Sequence, residues 1–73
     1  MKVHYDRAVD AAYLQLSDDK PDSVSEMAEG VNLDVTVDNE IVGIEILDAS
    51  RKIPLKSLFV YELDETTWEA AAA

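Results

Sequence analysis

The sequence predicts a mainly β protein of the α+β class, built on a small antiparallel β-sheet with a β-hairpin over residues 31–47. The first reason is that every second residue of 31–37 is apolar, which is typical of a half-buried strand. The second is that residues 2–5 and 11–17 show the same period. The third is that helical signals are short and lie near the C-terminus.

The first half of the chain predicts three strands before the hairpin. Residues 2–5 place Val3 and Tyr5 on one side and polar side chains on the other. The core face of the strand over residues 11–17 is expected to carry Ala12, Leu14 and Leu16. Residues 23–29 predict a weaker strand, and its few apolar side chains suit an edge of the sheet.

The hairpin pattern predicts its own register. A two-residue loop at residues 38–39 brings the apolar sets of both strands onto one face. The opposed pairs are then Val31 with Ile46, Leu33 with Ile44, and Val35 with Val42. Asn39 suits the turn, because asparagine enters the left-handed backbone region more readily than most residues.

The C-terminal third has a different charge and pattern. Residues 49–57 carry basic side chains and no acid, and Pro54 can start a short helical turn there. Residues 58–63 predict a last strand, and capping-box spacing predicts a short helix over 66–72. We therefore expect a single small domain over residues 1–73, with a sheet core in 1–50 and a basic turn, last strand and tail in 51–73.

Composition excludes several classes of function. The chain has 6 Lys and Arg against 16 Asp and Glu, a net charge of −10, which argues against binding nucleic acid or an anionic membrane. It has no Cys, and so neither a disulfide framework nor a thiolate zinc site. No apolar run reaches the length of a signal peptide or a membrane span, so we expect a cytoplasmic location.

Several segments resemble one small prokaryotic family. They are Tyr5-Asp6, Asp10-Ala11, Tyr13-Leu14-Gln15-Leu16, Gly30-Val31-Asn32-Leu33-Asp34 and, most specifically, Ile41-Val42-Gly43-Ile44-Glu45-Ile46-Leu47-Asp48-Ala49-Ser50. Over about residues 1–50 the chain resembles domain of unknown function 2283, whose members usually have Gly where Asn39 stands. The resemblance implies no catalytic residue, because the family has no established activity. Relatives that are small acidic partners of toxin-like proteins imply an antitoxin-like role.

The candidate metal-ligating residues are four carboxylates, Asp6, Asp10, Asp34 and Asp48. Clustered carboxylates bind Ca²⁺, Mg²⁺ or Mn²⁺, but these four lie in separate predicted elements and form no calcium-loop motif. Asp at strand and turn ends usually caps backbone N–H groups, so we favour caps and expect no metal or other cofactor. The only histidine, His4, alternates with apolar residues and is expected at the surface. With no nucleophile or phosphate-loop motif, we expect no catalytic residue.

The apolar face of the hairpin needs a cover that the chain does not clearly supply. A single sheet buries such a face against a helix or a second sheet, and this sequence has no long amphipathic helix. We therefore expect a small acidic protein of uncharacterised function, a non-enzymatic protein-interaction module that is antitoxin-like and self-associates as a dimer. Its acidic surface is expected to accept a basic protein partner. The alternative is a carboxylate-based metal-dependent hydrolase that uses the four aspartates.

Overall fold

The computed structural model describes residues 1–66 and contains one sheet of five strands, all paired antiparallel. The strands are β1 (Lys2–Asp6), β2 (Ala11–Gln15), β3 (Ser23–Ala28), β4 (Val31–Val35) and β5 (Ile41–Leu47). Their order across the sheet is β1-β2-β5-β4-β3. The helix α1 (Ala49–Lys52) and a 3₁₀ helix (Leu55–Phe59) follow. The predicted fold class and the edge position of β3 are confirmed.

The strand β5 lies at the centre because it is the most continuous run of β-branched residues in the chain. Such residues pack well on a pleated surface that is covered by neighbours. Both backbone edges of β5 are paired, one with β2 and the other with β4. Val42 and Gly43 within it are buried, whereas every residue of the edge strand β3 is exposed.

The sheet has two chemically different faces, since residues opposite each other in a ladder lie on the same side. The apolar face carries Val3, Tyr5, Ala12, Leu14, Val31, Leu33, Ile44 and Ile46. The polar face carries Lys2, His4, Tyr13, Gln15, Val24, Glu26, Asn32, Asp34, Gly43 and Glu45. The alternation predicted for β1 and β2 is thus confirmed, with both strands contributing to each face.

The hairpin of β4 and β5 confirms most of the predicted register. Leu33 lies opposite Ile44, as predicted, although both side chains are only half-buried. The two-residue loop is wrong, because Thr36 N donates to Glu40 O at 2.8 Å and closes a longer loop over residues 37–39. Asn39 has the expected left-handed φ of 64° within it.

A β-bulge at Val42 compensates for the longer loop. Val35 pairs with Ile41 and Asp34 with Gly43, so Val42 is the extra residue of β5. The predicted pair of Val35 with Val42 is therefore wrong. The Val42 carbonyl accepts the N–H groups of Leu16 and Ser17, at 2.8 and 3.1 Å. These bonds take the chain out of the ladder after Gln15. Leu16 is therefore exposed, and the prediction that it contributes to the core is wrong.

The segment after α1 differs from the predicted last strand. The helical turn near Pro54 is confirmed, since the 3₁₀ helix follows it and Ser57 N donates to Pro54 O at 2.9 Å. The strand over 58–63 is wrong: the 3₁₀ helix includes Leu58 and Phe59, and residues 60–64 have no regular structure. The helix predicted over 66–72 lies outside the described residues beyond Thr66. No helix within the described part of the chain is long and apolar enough to cross a membrane.

Candidate functional site

A tyrosine–carboxylate hydrogen bond crosses the central strand on the polar face. Tyr13 Oη on β2 donates to Asp34 Oδ2 on β4 at 2.7 Å, and Gly43 of β5 lies beneath the ring. A Cβ at Gly43 would overlap the hydroxyl and ring of Tyr13, so the contact needs glycine there. The hydrogen bond to Asp34, together with desolvation, raises the pKa of Tyr13 to about 12.

The polar face beside this bond is ordered and acidic. Asn32 Nδ2 donates to Glu45 Oε1 at 3.0 Å, which fixes a second pair of side chains across β4 and β5. Residues 21–48, which include β3, β4 and β5, contain no Lys, Arg or His. Their acidic residues are Asp22, Glu26, Glu29, Asp34, Asp38, Glu40, Glu45 and Asp48. This half of the sheet therefore carries a concentration of negative charge, and the basic side chains of Arg51 and Lys52 lie at one end of it, beside Gly30 and Leu47.

Asp10 joins the β1–β2 turn to helix α1. Its carboxylate accepts Tyr5 Oη at 2.7 Å and Ser50 Oγ at 2.6 Å, together with Ser50 N at 3.1 Å. Its backbone carbonyl accepts Ala49 N at 2.9 Å, and its φ of 52° is left-handed. The hydrogen bonds from Ser50 and then Tyr5 lower the pKa of Asp10, and the bond to Asp10 raises the pKa of Tyr5.

The four candidate aspartates do not form one site. Asp6 accepts Ala8 N at 2.9 Å, so it is a backbone cap, as is Asp10. The prediction of a side-chain cap is wrong for Asp48. This residue precedes α1 with a left-handed φ of 52°, and its side chain makes no hydrogen bond to the backbone N–H groups of the helix. These three lie at one end of the sheet, and Asp34 lies at the other, about 13 Å away along the strands.

No group of three or more His, Asp or Glu side chains within residues 1–66 is arranged to hold a metal ion. The described part of the chain therefore contains no cluster of metal ligands on which the hydrolase alternative could rest. His4 is exposed on the polar face, opposite Tyr13, in the surface position predicted for it. The roles of Tyr5 and Tyr13 as hydrogen-bond donors were not predicted from the sequence. The sequence feature that could have indicated the contact of Tyr13 with β5 is the single glycine inside the β-branched run of that strand.

The apolar face lies beside an open groove. The groove has a volume of about 340 Å³ and is bounded by Met1, Val3, Leu14 and residues 57–61, which we call the strap. Phe59 and Tyr61 of the strap are 77% and 73% exposed. The strap therefore borders the apolar face with Leu58 half-buried and with Phe59 and Tyr61 left exposed.

These features define the class of protein: a small acidic antiparallel sheet with an ordered polar face and a partly covered apolar face. The chain belongs to the family described as Protein of unknown function (DUF2283), which it matches over residues 2–50. The match includes all five strands and confirms the resemblance noted in the sequence. No curated protein and no solved structure matches the chain.

Proposed function

We propose that this protein is a non-enzymatic protein-interaction module that forms a dimer through its apolar face and the adjoining strap. The observation that carries this proposal is the small size of its core. Among the described residues the buried hydrophobic side chains are Ala12, Val35, Val42 and Ala49. Burying a larger Leu, Ile or Phe side chain is worth about 1.5–3 kcal/mol, and no such side chain within residues 1–66 is fully buried.

The exposed apolar side chains beside the groove favour a dimer. Val3, Phe59, Val60 and Tyr61 are 36%, 77%, 68% and 73% exposed. A standard stable interface buries about 800 Å² on each partner. A second copy that places its strap against the apolar groove is therefore the occupant that we propose, because the same patch is then covered on both chains.

Successive side chains of each strand lie on opposite faces of the sheet, so a dimer formed through the apolar face leaves the polar face free. That face and its edges carry the acidic residues of the segment 21–48, which suit a partner with a basic surface. We include in the proposal that this surface accepts a basic protein partner in an antitoxin-like role. The mapping of the acidic residues onto one half of the sheet supports it.

The test compares two exposed apolar side chains in different places. Phe59 belongs to the strap, and Val37, which is 80% exposed, lies in the hairpin loop. We expect Phe59→Ser to weaken dimerisation about tenfold or more, as the loss of an aromatic interface anchor does, and Val37→Ser to leave it nearly unchanged. Sedimentation equilibrium from micromolar to millimolar protein measures both dissociation constants.

Two outcomes would contradict the proposal. One is a wild-type chain that stays monomeric throughout, with a thermal midpoint independent of protein concentration. The other is a dimer that the two substitutions weaken equally, which would place the interface away from the strap. Because both side chains are exposed in the single chain, neither substitution is expected to unfold it.

A further inference from the structure

We propose that the outer edge of β3 binds an extended basic segment of a partner protein, which adds to the sheet as a sixth strand. This inference rests on the proposed role in protein interaction, and it names the surface and the chemistry of the basic partner. The strand β3 pairs with β4 alone, and all its residues are exposed. One row of its backbone N–H and C=O groups therefore faces outward, as in other strands that recognise peptides by strand addition.

The two edges of the sheet differ in how well they are protected. The β1 edge carries Lys2, and its neighbours Met1 and Val3 line the groove beside the strap. The β3 edge has no Pro, Lys or Arg, the residues that commonly block an edge. A register shift between Glu26 and Ala28 leaves Ser23–Glu26 as the regular part, long enough for a short added strand.

The side chains beside this edge favour a basic occupant. Val24 and Glu26 lie on the polar face, opposite Asp34 and Asn32 of β4, and Val24 is 65% exposed. An added strand would place its own polar-face side chains next to these two residues. Residues 21–48 contain eight acidic residues and no cation, and the basic side chains of Arg51 and Lys52 lie at the other end of β3, beside Ala28 and Glu29. Lysine or arginine of an added strand next to Val24 and Glu26 therefore lies close to opposite charge.

The same charge disfavours a second copy of this chain at the β3 edge. Pairing β3 with β3 would bring two such acidic halves together, and like charges across a strand pair are destabilising. The β3 edge and the apolar face therefore have different occupants: a basic strand for the edge and a second copy for the face.

The test uses a blocked, fluorescent peptide of about eight residues in which lysine and valine alternate. Two matched peptides carry N-methyl groups on alternate backbone amides, one on the odd-numbered amides and one on the even-numbered amides, and we call these the two N-methylated phases. A further matched peptide has glutamate in place of lysine. We expect the lysine peptide to bind, one N-methylated phase to bind about tenfold more weakly, and the glutamate peptide not to bind. Amide hydrogen exchange should slow in β3 when the lysine peptide binds.

Two variants with the same change of charge locate the site. Glu26→Lys changes the edge itself, and Glu40→Lys changes an exposed residue of the hairpin loop. We expect Glu26→Lys to weaken peptide binding about tenfold and Glu40→Lys to weaken it less than about threefold. The dimer variant Phe59→Ser should bind the peptide normally, so failure at the edge and failure of the dimer are distinguishable.

Three results would overturn the inference. Equal binding by both N-methylated phases and the unmodified peptide would mean that charge alone attracts the peptide. Protection that develops at β1 or the strap would place the site elsewhere. An equal loss of affinity in the two lysine variants would show that net charge, and not the β3 edge, determines binding.

Discussion

Gly43 and Tyr13 are coupled residues, because the space that a side chain at position 43 would need is occupied by the tyrosine ring. Glycine inside a strand usually costs stability, since it gains no side-chain packing and loses more chain entropy. Here the cost is offset by the hydrogen bond from Tyr13 to Asp34, which reaches across β5 only over a glycine. Gly43 thus contributes to the fold because it has no Cβ and leaves room for the tyrosine ring.

A double-mutant cycle on these two residues tests that coupling. We expect Gly43→Ala to destabilise the protein by about 1–3 kcal/mol, because the ring must move and its hydrogen bond to Asp34 breaks. In a Tyr13→Ala background the same change should cost less than about 0.5 kcal/mol, since the overlap is gone. Urea unfolding of the four proteins gives the coupling energy, and additive effects would contradict this account.

At the scale of elements, Asp10 connects three parts of the chain through one carboxylate. It receives hydrogen bonds from Tyr5 of β1 and from Ser50 of α1, and it precedes β2 directly. The helix α1 is short, and isolated helices of this length are not stable in water. We therefore infer that Asp10 fixes the position of α1 against the sheet.

This connection predicts a pH dependence whose sign follows from the lowered pKa of Asp10. A carboxyl whose pKa is lower in the folded state stabilises the fold above its ordinary pKa, and that contribution is lost as the pH falls through the folded value. We expect Asp10→Asn to lower the thermal midpoint at neutral pH, while asparagine still accommodates the left-handed φ of 52°. The difference from wild type should shrink below about pH 4.

Circular dichroism melts at a series of pH values measure this effect. Ser50→Ala is the matched variant, because it removes the hydroxyl that contributes most to the lowered pKa and leaves the carboxylate in place. It should reproduce part of the Asp10→Asn effect with the same pH trend. A difference between Asp10→Asn and wild type that stays constant down to the acid limit would mean that the charge of Asp10 contributes nothing.

The elements also show which parts of the structure the sequence could predict. Alternation placed the strands, and the Leu33–Ile44 pair followed from matching two apolar sets. The bulge at Val42 could not be located this way, because Ile41 and Val42 are both β-branched and either could be the extra residue. The last strand was wrong because the apolar run after Pro54 fits a strand by composition, whereas the local turn set by proline prevails.

The candidate site was less predictable than the fold. Its hydrogen bonds join residues that are 5 to 40 positions apart, so they depend on strand order. The hairpin pattern gives the partner of β4 but contains no information on which strand lies on the other side of β5. Without the β2–β5 pairing, Tyr13 and Asp34 are simply two residues of separate strands.

At the scale of the whole molecule, the two proposed interactions respond oppositely to salt. Each chain carries a net charge of −10, so two copies repel each other, and added salt screens that repulsion. Contact between apolar faces is not screened, so the dimer should strengthen as salt rises. The β3 edge instead attracts a basic strand through charge, and that attraction should weaken with the same salt.

The last prediction follows from this opposition. Between about 0.05 and 0.5 M NaCl, we expect the dimer dissociation constant to fall and the lysine-peptide dissociation constant to rise, each by several-fold or more. Sedimentation measures the first and fluorescence anisotropy the second, on the same preparation of the full chain. A dimer that weakens with salt would indicate an interface held by ion pairs, against the role of the apolar face. A peptide affinity that does not change with salt would indicate a site where charge has no part, against the basic occupant of the β3 edge.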